Sequence, residues 1–276
     1  MNQAGGGRAS EYWESIARTD PYWGVATDES YRKANLTDEA KTRFFAKGEE
    51  LVAGWLKVLA NRFNCPQQLG TALEFGCGVG RLLLPIARRS RRAIGVDVSP
   101  TMLQHCAENA RNAGLDNVEL VRDLALVNAN HGGPDLVMSF VVFQHIPTEL
   151  GIGSLTALLR LLRPGGWGMV HLTYANNIGH LPKEGAEVGA PYRYYQRIGD
   201  QLLRFGKGPP PAEPRQEMNH YNLNQVMCLL MDNDVFSFYA TYTRHAGVLG
   251  IELYFQKGSG PPPKPGGTEA CRSYGI

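Results

Sequence analysis

The sequence predicts an α/β fold with a doubly wound, mostly parallel sheet. Two observations in residues 71–100, TALEFGCGVGRLLLPIARRSRRAIGVDVSP, carry that prediction. The first is the order of patterns. An apolar run over 71–75 breaks into Gly76, Gly78 and Gly80, a helix-like stretch follows over 81–89, and a second apolar run covers 93–96. Strand, glycine turn, helix and strand together make a mononucleotide-binding βαβ unit. The second observation is Asp97, an acid at the tip of the second run. It lies about 20 residues past the glycines, where a strand-end carboxylate can grip a ribose.

The other elements follow in chain order. Residues 1–9 are expected to be disordered, and the first ten lack the apolar core of a signal peptide. A helical extension occupies 10–64. Its first part carries Tyr12, Trp13, Tyr22 and Trp23, with a turn at Asp20-Pro21, because proline fixes φ and removes a donor. Over 37–63, apolar residues recur at helical spacing, and Thr37 followed by Glu39 and Ala40 makes a cap and first turn. Trp13, Phe44 and Trp55 are expected to pack, whereas for Tyr22 and Trp23 pocket lining and packing both stay open.

The core domain spans 65–257. After the βαβ unit come a helix over 101–113, with Met102, Leu103, Cys106 and Ala110 on its apolar face, and a stop at Gly114. A third strand over 118–122 ends at Asp123, again an acid aimed at the ligand crevice, which also suits a helix N-cap. Gly132-Gly133-Pro134 turns into a nearly all-apolar fourth strand over 135–140, as expected of a strand covered on both faces. A helix over 154–162 and the turn Arg163-Pro164-Gly165-Gly166 lead into a fifth strand over 167–173. Residues 174–217 lose period yet keep Tyr192, Tyr194 and Tyr195, which fits a functional insertion better than simple disorder. A helix over 222–232 and strands over 235–243 and 247–257 close the domain as an antiparallel hairpin. A flexible Pro/Gly tail covers 258–276.

Composition narrows the partners. The chain has 276 residues, a net charge of +2 and 20% charged residues, so no field argues for nucleic acid or an acidic membrane. Arg88, Arg89, Arg91 and Arg92 end a predicted helix, where cations favour the dipole. Five cysteines without a Cys-x-x-Cys pair indicate neither a disulfide framework nor a zinc site, and suit a reducing cytoplasm. No run approaches the ~20 apolar residues of a membrane span. A homodimer stays open.

The glycine spacing then selects the ligand. Gly76-x-Gly78-x-Gly80 followed directly by Arg81 is not the G-x-G-x-x-G of dinucleotide folds. Glu74, two residues before the first glycine, suits a ligand with an ammonium group and would repel a pyrophosphate. E-F-G-C-G-V-G-R followed by G-V-D-V-S-P resembles motifs I and II of the class I S-adenosylmethionine (SAM) dependent methyltransferases. DLVMSF resembles their motif IV, and LLRPGGWGMVHL resembles their fifth-strand signature. The D-P-Y-W and F-F-x-x-G-E of the extension resemble bacterial methyltransferases of glycan or natural-product pathways.

The resemblance implies a Rossmann-like seven-stranded sheet and an enzyme that uses SAM to methylate a small molecule, at oxygen rather than nitrogen. It places Glu74 beside the amino-acid moiety and lets the backbone of Gly76, Cys77, Gly78 and Gly80 approach the cofactor. It implies that Asp97 takes both ribose hydroxyls and that Asp123 with the Leu124 amide reads the adenine. Val98 and Met102 would pack on the ring, Phe140 would lie near the methionine part, and Trp23 would complete the cofactor wall. N-methylation of an amine and a non-catalytic SAM-binding module are the alternatives. Aminopropyl transfer is a rival for which Phe140-Val-Val-Phe-Gln lacks the paired acids, and RNA is disfavoured by the absence of an Asn-Pro-Pro-Tyr-like motif. An oxygen acceptor needs a base, for which histidine is the first candidate. His145, which is also expected to touch the cofactor, and His220 are the catalytic candidates, His171 is expected to be a core residue, and His245 is expected at the pocket rim. No metal is expected.

Overall fold

We describe a computed structural model, over residues 4–127, 132–176, 194–198, 201–205, 218–245 and 248–260. The helical extension comprises α1 (Ala4–Thr19), α2 (Pro21–Val25) and α3 (Asp38–Phe63). The core then runs β1 (Leu69–Phe75), α4 (Leu83–Ala87), β2 (Ser90–Val96), α5 (Pro100–Asn112), β3 (Val118–Val121), β4 (Leu136–Ser139), α6 (Thr148–Leu161) and β5 (Trp167–Asn176). A hairpin of β6 (Tyr194–Ile198) and β7 (Gln201–Phe205) precedes α7 (Leu223–Asp232), β8 (Phe238–His245) and β9 (Val248–Gln256).

The main sheet has seven strands in the order β3-β2-β1-β4-β5-β9-β8. The strands from β3 to β5 are parallel, and β9 runs antiparallel between β5 and β8. Apolar runs become central strands because both sheet faces are covered. One face carries Leu73, Ile94, Val137, Val170, Leu172 and Phe255 against Leu155, Leu158 and Leu159 of α6 and Val226 and Leu230 of α7. The other buries Ala72, Met138, Met169 and Tyr254 against Val52, Trp55 and Leu59 of α3. Each such large side chain contributes about 1.5–3 kcal/mol by leaving water.

The extension folds as its signals direct. Thr37 caps α3 by accepting from the Ala40 amide at 3.2 Å, and α3 ends on Asn64 in the left-handed region (φ 52°). Gly48 lets α3 press on the glycine turn, since a Cβ there would strike the backbone carbonyl of Arg81.

Four elements differ from expectation. α4 covers only Leu83–Ala87, so Arg91 and Arg92, expected to end that helix, lie in β2, where Arg92 pairs with Glu119, while Arg88 and Arg89 pair with Glu49 of α3. α1 begins at Ala4, within the stretch expected to be disordered. α6 begins at Thr148 rather than at 154, because Gly151 and Gly153 sit inside a helix whose remaining residues pack well; Gly151 gives way to the Tyr221 hydroxyl. In 174–217, β5 runs on to Asn176 and the β6–β7 hairpin forms, so this stretch is not without secondary structure. The rest of that expected insertion, and 261–276 of the tail, lie outside the described residues.

Candidate active site

In this sheet β1 leads to β2 on one side while β4 leads to β5 on the other, and a ligand crevice opens at the carboxyl ends where the order reverses. A cleft of about 680 Å³ lies there. Ser139 ties the two strands across the switch point, its hydroxyl donating to the Phe75 carbonyl at 3.0 Å. Just beyond, Val141 has φ 58°, a conformation that β-branched residues rarely adopt and that costs roughly 1–3 kcal/mol. It lines the cleft.

The glycine turn presents bare backbone to the cleft and packs closely on its neighbours. Gly76 (φ 79°) and Gly78 (φ 50°) line the cleft, and a Cβ on either would meet Val142 or Val25 respectively. Asp97 organises the turn, with one carboxylate oxygen accepting from the Gly78 amide and the other from the Ser99 amide, both at 2.9 Å. Burial pushes its carboxyl above the usual range against the pull of those two amides. Glu74 is buried, with one carboxylate oxygen left without a partner. Burial first, then Cys106 and Asp97, push its carboxyl well above the usual range.

Cys77, Val98, Met102, Asp123, Leu124 and Phe140 also line the cleft. Asp123 does cap a 3₁₀ turn over 124–126, accepting from the Ala125 amide at 2.9 Å. Gly80 and Trp23 are not among the lining residues. At Gly80 (φ 90°) a Cβ would stand 2.6 Å from Leu84 and 2.8 Å from Cys106, so its role is packing of the turn on α4 and α5. Trp23 packs partly buried against the extension's core, under the Arg32 guanidinium at 3.7 Å from the ring centre.

The histidines divide. His145 is buried on the cleft wall, its ring 5.2 Å from Trp13 and its Nε2 3.1 Å from the Gln144 amide nitrogen. His220 is not among the lining residues. Its Nε2 is buried without a partner, burial lowers its pKa, and its carbonyl accepts from Thr148 at 3.5 Å. His171 is buried as expected, yet its ring also lines the cleft. His245 is the last residue of β8, and its side chain lies outside the described residues.

Three lining or supporting residues escaped the sequence. Trp13 reaches the cleft from α1. Arg81 lines it from the turn, its guanidinium donating to the Phe44 carbonyl at 3.3 Å and its acidity raised by burial. Glu14 pins α1 to the start of α5, accepting from the Ser99 hydroxyl at 2.7 Å and the Thr101 hydroxyl at 2.6 Å. Arg81 was readable beside Gly80; no local pattern signals contacts between α1 and residues some 85 positions on. Among the described residues no group of three or more His, Cys, Asp or Glu could hold a metal ion, and no helix is long and apolar enough to cross a membrane.

A model of a methyltransferase domain matches residues 72–166. The chain is 31% identical over 97 residues to a 2-heptyl-1-hydroxyquinolin-4(1H)-one methyltransferase of Mycobacteroides abscessus, covering 35% of this chain and 43% of that protein. It is 34% identical over 76 residues to an uncharacterized RNA methyltransferase of Nostoc sp., covering 28% and 16%. The chain thus spans less than half the length of these two relatives. A magnesium protoporphyrin IX methyltransferase from Synechocystis, solved with bound S-adenosylhomocysteine (SAH), superposes with a TM-score of 0.57 at 18% identity over 90% of this chain and 97% of that one. Residues 72–166 are therefore a methyltransferase domain, and the chain has the fold of the class I S-adenosylmethionine-dependent methyltransferases.

Proposed function

We propose that the protein transfers a methyl group from SAM to an oxygen of a small molecule. The observation that carries the reading is the buried Glu74 carboxyl with an unpartnered oxygen, set beside the bare backbone of Gly76 and Gly78 on the cleft wall. A partnerless buried carboxylate is costly, and a ligand ammonium group relieves it. Arg81 supplies the opposite charge for the carboxylate of the same amino-acid group. Asp97 offers its acceptor oxygens to ribose hydroxyls, and Asp123 with the Leu124 amide faces the adenine. Val98, Met102 and Phe140 give the apolar packing.

SAM supplies a sulfonium-bound methyl group that needs no further activation. The chain's task is then to hold the acceptor in line, an orientation worth up to ~7–11 kcal/mol of barrier. His145 is fixed between Trp13 and Gln144 on the cleft wall, where it can take a hydroxyl proton. Which of its ring nitrogens carries a hydrogen depends on how the Gln144 amide is turned. His220 is not among the described lining residues, so we assign it to holding the loop, its carbonyl accepting from Thr148, rather than to proton transfer. The small-molecule name of the Mycobacteroides relative supports a small acceptor. The matches to RNA methyltransferases cover 18–28% of this chain, and the net charge of +2 gives no basic field for RNA. Free Cys65, Cys77 and Cys106, all buried, fit a reducing cytoplasm.

Calorimetry with SAM and SAH tests the reading. Both should bind the wild type, and Asp97→Ala should lose binding while its far-UV circular dichroism stays unchanged. A wild type that binds neither compound sinks the proposal.

A further inference from the structure

The cleft is divided chemically. Sheet order puts the ends of β1, β2 and β3 on one side of the switch point and β5, β9 and β8 on the other. Among the described lining residues, all the Asp, Glu, Lys and Arg side chains, namely Glu74, Arg81, Asp97, Arg122 and Asp123, belong to the first side. Among the described residues the second side offers Phe140, Ile146, Met218 and Val248, and from its strands the polar chains His171, Thr173 and Thr243.

These polar groups are joined across a strand. His171 of β5 and Thr243 of β8 meet at 2.9 Å, Nε2 to Oγ1, although β9 runs between them. The residue beneath the bridge is Gly250, in register with Thr173 on one side and Thr243 on the other. A Cβ on Gly250 would stand 2.5 Å from the Thr243 hydroxyl and 2.6 Å from the His171 Nε2, so the bridge exists only because this residue has no side chain. The His171 ring packs on Phe140 with centroids 5.2 Å apart. The Thr173 hydroxyl is already committed to the Asn219 carbonyl at 2.6 Å. The wall thus presents flat rings and one bridged pair able to exchange a hydrogen bond with a ligand.

We propose that this wall receives the acceptor, and that the acceptor is a neutral molecule with a flat apolar body and a hydroxyl, of the phenolic class, oriented by the His171–Thr243 pair. The proposal rests on the methyl-transfer reading and narrows it. A cationic or anionic acceptor would lose its hydration here without meeting an opposite charge among the described residues of this wall. A sugar would bury several hydroxyls against a wall whose described strand residues offer only His171 and Thr243 as uncommitted polar chains, and each unsatisfied one costs ~1–3 kcal/mol. An apolar ring matches the Phe140, Met218 and Val248 surface and leaves one hydroxyl for the bridge.

The test uses SAH-saturated full-length protein and three probes: 2-naphthol, methyl glucoside and 2-naphthylmethylamine, the last charged at neutral pH. Binding is followed by the NMR signal of the His171 ring, identified by its absence in His171→Gln. The naphthol should move that signal, and Thr243→Val and Gly250→Ala should each weaken its binding roughly tenfold, the loss of about one hydrogen bond. SAH affinity should stay as in wild type, which separates a role in acceptor binding from a merely structural one. Naphthol binding unchanged in both variants, no naphthol binding at all, or the glucoside or amine binding as tightly would overturn the proposal. Failure of the wild type to bind SAH would instead remove the methyl-transfer reading on which it stands.

Discussion

Glu74→Gln separates the cost of the donor site from its use. The side chain is 3% exposed, and one of its oxygens has no partner. Burial, with Cys106 and Asp97, holds the folded carboxyl well above its ordinary value of 4.5. The unfolded chain ionises Glu74 near that ordinary value, so the folded state binds the extra proton. Stability is therefore intact below 4.5 and falls as pH rises above it, until the folded group also ionises. Each tenfold change in acidity corresponds to about 1.4 kcal/mol. Glutamine carries no charge, so the variant should unfold at a higher temperature than wild type at neutral pH and lose this part of the pH dependence.

Donor binding should change in the opposite sense. The ammonium of SAM or SAH forms a charge-assisted hydrogen bond with the carboxylate, worth about 1.5–3 kcal/mol, so Kd should rise roughly 10- to 150-fold. Calorimetry in two buffers of different ionisation enthalpy adds a second readout: wild type should release a proton on binding, and the variant should not. A variant that binds SAH as tightly as wild type, with the same proton release, would refute the ammonium role of Glu74.

Two further perturbations probe the scaffold around the site. Partial burial opposes the charge of Glu14, but hydrogen bonds from Thr101, Ser99 and Arg18 outweigh it and hold the carboxyl at about 2. Its stabilisation should therefore be complete above pH 4.5 and vanish as pH falls towards 2; Glu14→Ala should cost about 1 kcal/mol at neutral pH and flatten that acid limb of the thermal unfolding curve. In α3, Gly48→Ala should destabilise by about 1–3 kcal/mol, since the new methyl strikes the Arg81 carbonyl, whereas Gly54→Ala meets nothing within 4 Å and should stabilise by about 0.5–1 kcal/mol. Urea denaturation reads both, and equal shifts for the two glycines would contradict the close approach of α3 to the turn.

The donor half of the cleft was legible because its parts are close in sequence. Glu74, Gly76, Gly78 and Asp97 lie in one βαβ unit, where strand and turn fix their relative positions before any tertiary contact forms. Element boundaries were also readable where periodicity met a cap, as at Thr37, which accepts from the Ala40 amide. α6 was cut short because Gly151 and Gly153 look like loop residues until the Tyr221 hydroxyl is seen to need the space.

The acceptor half was illegible for the converse reason. His171 and Thr243 are 72 residues apart and meet only because β9 inserts between their strands with a glycine at the crossing. In sequence, His171 is a polar residue in an apolar strand, which describes a core histidine equally well. Trp13 likewise carries the signature of a packing residue and acquires its place on the cleft when Glu14 anchors α1 to α5. Donor chemistry is thus written locally, in a motif shared by proteins with unrelated acceptors. Acceptor chemistry is written in strand order, where replacing one small residue such as Gly250 changes what two distant side chains can hold.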